Sequence, residues 1–263
     1  MAGKQTPLIT LTTDFGTRDP YVAAMKGVIY SIQRKLCVVD LSHEIPPQNI
    51  LEGALFLAGA VPHFPKGTIH VAVVDPGVGT ERHPIALRAG EQIIVCPDNG
   101  LATLFLRENH LEEARIITNA RFMATVISPT FHGRDVFAPA AAHLACGTPF
   151  AEVGKDLDTI LTLDIPGPQG DTIHGITGKI MHVDRFGNCI TNIHQSTLKG
   201  AAPLNIRVGR HRLHGIRRTY GDVALGKTVA LFGSAGYLEI AVNGGNANAA
   251  LSLGKGDDVT ISF

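Results

Sequence analysis

At 263 residues the chain can form one large domain or two modest ones, since single cores tend to divide beyond about 250 residues, and in either case it can bury a core. Its 23 acidic and 23 basic residues cancel, which excludes a whole-chain field that would draw in nucleic acid or an anionic membrane and leaves any charged ligand to local groups. The four cysteines, Cys37, Cys96, Cys146 and Cys189, form no CxxC pair, no leader pattern opens the chain, and the longest apolar stretch, GALFLAGAV, is too short to cross a bilayer, so the expectation is a cytoplasmic protein with reduced thiols and no membrane partner.

In chain order, the first apolar run is LITLTT (8–13), a predicted strand that ends at Asp14. Val22, Met25, Ile29 and Ile32 recur at helical spacing, which predicts a helix over 21–35, and LCVVDL (36–41) follows as a second strand. A helix over 49–61, strands at TIHVAVV (68–74) and QIIVCPD (92–98), and a helix over 101–107 continue the alternation. Continuous apolar strands interleaved with helices imply an α/β fold, a mostly parallel sheet with helices on both faces, over an N-terminal domain of residues 1–163. Such a sheet places ligands at the carboxyl ends of its strands.

The pattern changes at DIPGPQGDT, where Pro166, Gly167, Pro168 and Gly170 supply the turn chemistry of a linker over 164–171. Residues 172–263 then hold the short runs GKIMHVD, LNIRVG, TVALFG, YLEIAV and DVTISF between glycine-rich turns. They predict a C-terminal all-β domain, a small barrel or sandwich.

Polar groups gather after the apolar runs. Asp14 in TTDFGTRD suits a helix cap or turn, or a carboxylate that bonds a ribose diol. In VVDPGVGTERHPI, Asp75 and Arg82 suit a structural ion pair at a turn, or a charged pair delivered to the sheet's ligand edge. Asp98 and Asn99 in PDNGLAT are read as caps of the helix that follows. In SPTFHGRDVFAPAAAHLA, His132 precedes a helix, either as a hydrogen-bonded structural residue or, if Arg82 and Asp75 lie close, as a proton acceptor. In HVDRFGNCITNI, Asp184, Phe186 and Asn188 share one side if the segment is extended, a surface suited to adenine and an ammonium group; the other reading is a hairpin with DRFGN as its turn. Ser234 and Glu239 stand in GSAGYLEIAVNGGNAN, before a loop whose glycines allow close approach of a flat ligand or simply make tight turns.

Other chemistries lack their motifs. DPGVG does not have the spacing of a phosphate loop, and GSAG does not replace a GxSxG elbow. Twelve histidines include no HExxH, and the close pair His211 and His214 lies in RHRLHGIRR without a carboxylate, so no metal site is expected.

The motifs TTDFG, VVDPGVGTxR, PDNGL, TFHGRD, DRFGN and SxGxLEIA, in this order along nearly the whole chain, resemble the S-adenosyl-L-methionine hydroxide adenosyltransferases, the hydrolase branch of the family that includes the fluorinase and chlorinase. The resemblance implies cleavage of S-adenosylmethionine (SAM) to adenosine and methionine by water or hydroxide at ribose C5′, with SAM as substrate and no cofactor. It implies a homotrimer whose sites form between the large domain of one subunit and the small domain of the next. Carried over by motif, Asp75, Arg82 and His132 would be the catalytic set and Asp14 would hold the ribose hydroxyls. Phe186 and Asn188 would sit against adenine, Asp184 and Ser234 would hold the methionine amino acid group, and Glu239 and Val242 would lie on the adenosine side.

The same resemblance separates the branches. Halogenating relatives carry other residues where this chain has Asp75 and His132, and the fluorinase has an extra loop for which the run from Arg82 through Pro97 to Phe131 leaves no room. Ala235 stands where halogenases tend to have a more polar residue, a departure that bears on recognition of the methionine carboxylate. A halide-using adenosyltransferase, a non-catalytic adenosine or SAM sensor and a plain trimeric scaffold are the competing readings.

Overall fold

The structure, a computed structural model, describes residues 8–263. The chain divides into two compact units, the first ending at Asp164 and the second beginning at Ile165. Among the described residues, no helix is long and apolar enough to cross a membrane.

The strands of the first unit are β1 (Leu8–Thr13), β2 (Cys37–Ser42), β3 (Ile69–Val73), β4 (Pro84–Ala89), β5 (Gln92–Pro97), β6 (Leu111–Ile117) and β7 (Gly154–Asp156). They form one sheet in the order β2-β1-β3-β5-β4-β6-β7. The pairs β1–β2, β1–β3 and β3–β5 are parallel, whereas β4–β5, β4–β6 and β6–β7 are antiparallel. Half of the sheet therefore follows the predicted parallel winding, and the other half is an antiparallel extension. The reversal happens at Gly90 and Glu91, the two loop residues between β4 and β5, which both take positive φ (56° and 63°) as a tight hairpin requires.

The helices of this unit are α1 (Tyr21–Ile32), α2 (Ile50–Ala60), α3 (Thr103–Glu108) and α4 (Ala138–Ala145). α1 stops at Ile32, three residues before the expected Lys35, because Gln33 turns to extended backbone. α2 begins where Asn49 accepts a hydrogen bond from the Glu52 amide at 3.2 Å. The reason β3 reads as an unbroken apolar run is visible in its neighbours. Val71 and Val73 pack with Met25 and Ile29 of α1 and with Ala142 of α4, whereas Ala72 and Val74 pack with Leu57 of α2 and Phe105 of α3. Both faces of the sheet are covered.

The second unit contains β8 (Gln169–Asp171), β9 (Gly175–Val183), β10 (Cys189–His194), β11 (Asn205–Val208), β12 (His211–His214), β13 (Thr228–Phe232), β14 (Tyr237–Val242) and β15 (Asp258–Ser262). β8 pairs with β9, so residues 169–171, expected as linker, are a strand of this unit. The remaining strands run in the order β12-β11-β15-β9-β10-β14-β13. A bridge from Arg217 to Leu231 draws the two ends together, and the sheet nearly closes into a barrel. Ile176, Ile180, Ile206, Val208, Leu238, Ile240, Val259 and Ile261 fill it from alternate positions of their strands. One short helix, α5 (Ala247–Leu251), interrupts the β pattern.

Candidate active site

In the first unit the chain goes from β1 outward to β2 and then returns across β1 to β3. Helices α1 and α2 leave on opposite faces, so the carboxyl ends of β1 and β3 form the switch point at which sheets of this kind bind ligands. Thr13 is paired with Val73, which puts Asp14 and Asp75 just past this same edge. One oxygen of Asp14, Oδ2, accepts the Gln48 amide at 2.8 Å and ties down the loop after β2. Its Oδ1 has no protein partner among the described residues.

The glycine turn after Asp75 folds Arg82 back onto it. Val78 N–H donates to the Asp75 carbonyl at 3.2 Å, and Thr80 bonds the Gly77 carbonyl through both its amide (3.2 Å) and its hydroxyl (2.7 Å). Arg82 Nε then donates to Asp75 Oδ1 at 3.0 Å while Nη2 donates to Oδ2, a two-point contact. Both side chains are nearly sealed from solvent, 7% and 4% exposed, and the guanidinium lies over the Phe137 ring. A buried, hydrogen-bonded pair of this kind is costly to break from one side only.

His132 joins from 50 positions away: Arg82 Nη2 also lies 2.8 Å from its Nδ1. Two local features bring it there. Gly79 has φ +78°, and a Cβ on it would sit 2.3 Å from the Pro129 carbonyl oxygen, so only glycine lets the turn touch the segment that leads to His132. His132 itself caps a single π-helical turn, Gly133–Phe137, that runs into α4; such widened turns re-aim side chains and recur at functional sites. Next to it, Asp135 takes two hydrogen bonds from Arg134 and one from the Ser128 amide, which fastens the loop from both sides.

The electrostatics decide which form His132 takes. Burial holds its pKa below the ordinary value, and the Arg82 charge lowers it further against the opposing pull of Asp75 and Asp135. The imidazole is therefore neutral near pH 7. A guanidinium has only donors, so Nδ1 is the acceptor of the Arg82 contact and the ring proton sits on Nε2. Arg82 Nη1 is buried without a hydrogen-bond partner among the described residues. A buried guanidinium N–H left without a partner is a donor that an oxygen anion would satisfy.

In the second unit a cleft of about 1040 Å³ collects the other expected residues: Asp184, Phe186, Asn188, Ser234, Glu239 and Val242 all line it. The extended reading of 184–188 gives way to the hairpin reading. β9 ends at Val183, β10 begins at Cys189, and DRFGN is the turn between them. Asp184 Oδ1 accepts the Phe186 and Asn188 amides at 2.9 and 2.8 Å, Oδ2 accepts Asn188 Nδ2 at 2.9 Å, and Gly187 takes φ +84° against Asn246. The turn still gathers the three side chains on the cleft, and it leaves Phe186 75% exposed.

Sequence reasoning missed Tyr220, Arg218 and Thr219, which also line the cleft. Tyr220 Oη donates to Glu239 Oε2 at 2.8 Å, and burial together with that carboxylate pushes the phenol up to about 12. Burial likewise raises the Glu239 carboxyl, with Asp184 adding to the rise and Tyr220 opposing it. The available signal was the capping box that Thr219 and Asp222 build around Tyr220. A separate cleft of about 560 Å³, beside Arg207, Arg210, Asp257 and Asp258, holds none of the expected residues.

The chain is similar to known proteins over nearly its whole length. Residues 9–154 match the model of the SAM hydroxide adenosyltransferase N-terminal domain, and residues 178–260 match that of the C-terminal domain. An (R)-S-adenosyl-L-methionine hydrolase of Salinispora tropica is 40% identical, with 98% of each chain covered. A fluorinase of Actinoplanes sp. is 30% identical over 100% of this chain and 99% of its own. The crystal structure of an uncharacterized conserved protein from Thermotoga maritima superposes with a TM-score of 0.90 at 36% identity, covering 97% of this chain and 100% of that one. By these matches the chain belongs to the SAM hydroxide adenosyltransferase family.

Proposed function

We propose that this protein hydrolyses S-adenosyl-L-methionine to adenosine and L-methionine through in-line attack of water or hydroxide at ribose C5′. The C5′–S bond breaks with its electron pair going to sulfur, the C5′–O bond forms, and one proton is released to solvent. The sulfonium becomes a neutral thioether and is a good leaving group, so the difficulty lies in the nucleophile. Water has a pKa near 16. The observation that carries the proposal is the Asp75–Arg82–His132 cluster, with its shared guanidinium contacts.

Arg82 supplies permanent positive charge in a place shielded from bulk solvent, which favours hydroxide over water. Asp75 holds the guanidinium plane with two hydrogen bonds, so no reorganisation is needed as the reaction proceeds. His132, with its proton on Nε2, donates to the oxygen and aims a lone pair, a role in orienting the nucleophile rather than in removing its proton. Holding that oxygen at near-attack distance from C5′ contributes several kcal/mol, on the order of what well-oriented intramolecular reactions gain.

Asp14, with Oδ1 unengaged, suits the ribose hydroxyls. Asn188 spends its Nδ2 on Asp184 and so offers its carbonyl oxygen to the adenine amino group, beside the exposed Phe186 ring. Asp184 and Ser234 suit the methionine ammonium and carboxylate, and Glu239 and Val242 border the adenosine side. On the same reading the protein is a cytoplasmic homotrimer with sites completed between subunits. Four free cysteines fit a reducing compartment, and an aromatic left open on a cleft rim fits an interface. No step of the scheme calls for a metal or other cofactor.

The test is turnover of SAM in oxygen-18 water, with and without chloride. Labelled adenosine and equimolar methionine are expected in both. Formation of 5′-chloro-5′-deoxyadenosine would replace the hydrolase reading with the halogenase one, and binding without methionine release would leave a sensor. Light scattering on the same sample reads the trimer.

A further inference from the structure

We propose that Asn99 is a positioning residue for the Asp75–Arg82–His132 set, holding the peptide from which Asp75 projects; this rests on the proposed hydrolysis. The last paired residues of the β3–β5 ladder are Val71 and Val95. Beyond them β5 ends at Pro97, which has no N–H, and the Asn99 amide donates to the Pro97 carbonyl at 3.1 Å, so neither supplies a backbone donor to the Val74 carbonyl. Asn99, just past the end of β5, supplies the donor: its Nδ2 bonds the Val74 oxygen at 2.9 Å. The carbonyl so held belongs to the same peptide unit as the Asp75 amide. Its orientation sets the direction of the Asp75 Cα–Cβ bond, and through that the carboxylate that grips Arg82 and the guanidinium that meets His132.

The same side chain has a second, ordinary task. Asn99 Oδ1 accepts the Leu101 amide at 3.2 Å in the turn before α3. The rest of the loop is anchored independently, with Asp98 accepting the Leu161 amide at 2.8 Å and Thr103 accepting that of Leu163 at 2.9 Å. Losing one Asn99 contact therefore need not release the loop. The two contacts use different atoms of one amide and can be separated chemically: Asn99→Asp keeps an acceptor for Leu101 and deletes the donor to Val74, whereas Asn99→Ala deletes both without adding charge.

The experiment measures kcat and KM for SAM hydrolysis, thermal melting, and the ring nitrogen-15 signals of His132 for wild type and both variants. Positioning by Asn99 gives a kcat lowered about tenfold in both variants, the loss of one hydrogen bond at a site where small misplacements are amplified, with KM within about twofold. It also gives His132 signals that move away from the wild-type pattern of an acceptor Nδ1. A wild-type kcat and unmoved His132 signals in Asn99→Asp, or in Asn99→Ala if the acid does not fold, overturn the proposal and leave Asn99 as a turn cap alone. The nitrogen-15 arm needs no turnover, so it decides the placement even if the wild-type protein proves not to hydrolyse SAM.

Discussion

The two units assemble their functional groups in opposite ways. In the first, the key side chains are drawn from positions 75, 82 and 132, are nearly buried or half-buried, and are bonded to one another before any ligand arrives. In the second, they come mainly from one hairpin turn and one strand, line an open cleft, and include a phenylalanine that is mostly in solvent. Groups that stabilise a developing charge gain from being fixed in advance in a dry place. Groups that recognise a substrate need a surface the substrate can reach and cover. On the proposed function, the contrast predicts chemistry at the sheet edge and recognition in the β unit, and substitutions that separate kcat from KM put it to the test.

The largest effect is expected at Arg82. Arg82→Ala should lower kcat by about 100-fold to 1,000-fold, the usual loss when a preorganised electrostatic donor is removed, with KM nearly unchanged. Because Asp75 would then be buried without its partner, that variant also loses stability. The double variant Asp75→Asn/Arg82→Gln removes both charges and should melt closer to wild type while remaining as inactive. Activity near wild type in the double variant would move the chemistry away from this edge.

These groups were legible to different degrees. The apolar runs of β1 and β3 marked both the strands and the edge where Asp14 and Asp75 emerge, because strands buried on two faces admit few polar residues, here three threonines and His70, and none that is charged before the edge. β4 and β6 were not legible: PIALRA carries Arg88 and LEEARII carries Glu112, Glu113 and Arg115, so neither reads as a buried strand. Arg88 of β4 pairs with Glu113 of β6, and Arg115 of β6 with Asp156 of β7, interactions between strands that no local pattern displays. The closure of Arg82 on His132 was open in the sequence for the same reason. It depends on Gly79 fitting beneath a carbonyl 50 positions further on. In the β unit the motif DRFGN marked the right residues, although alternation could not separate a strand from a five-residue turn.

That glycine offers the next test. Gly79→Ala adds a methyl group 2.3 Å from the Pro129 oxygen, so the turn or the His132 segment must move. A kcat loss between about tenfold and a hundredfold is expected, in line with an ångström-scale misplacement. Gly67→Ala is the control: its φ of +77° imposes a like strain of about 1–3 kcal/mol, but nothing lies within 4 Å and it precedes β3 at the opposite end of the strand. Melting temperature should fall in both variants, and kcat in Gly79→Ala alone. In the β unit the expected split is the reverse. Asp184→Asn keeps an acceptor for the turn amides at 2.9 and 2.8 Å but removes the charge, so KM for SAM should rise about tenfold while kcat changes little. A kcat defect there without a KM change would erase the division of labour between the units.

The smallest effect concerns pH and separates chemistry from stability within the first unit. His70 is fully buried, its Nδ1 bonded to the Thr10 hydroxyl at 2.7 Å, and burial pushes its pKa down to about 4. The unfolded chain protonates this ring near pH 6.5, before the folded chain does. Between about 6.5 and 4 the unfolded state therefore binds more protons, and stability falls as pH falls through that window, then levels off. His70→Gln should flatten this part of a plot of melting temperature against pH by about one proton's worth of slope. His132, lowered by burial and by Arg82, predicts something different: protonation would put a donor on Nδ1 opposite the Arg82 N–H, so kcat should decline at acid pH. The acid limb of kcat should survive His70→Gln unchanged. If it moves with the melting curve instead, loss of activity at low pH reports unfolding of the first unit and not the protonation of His132.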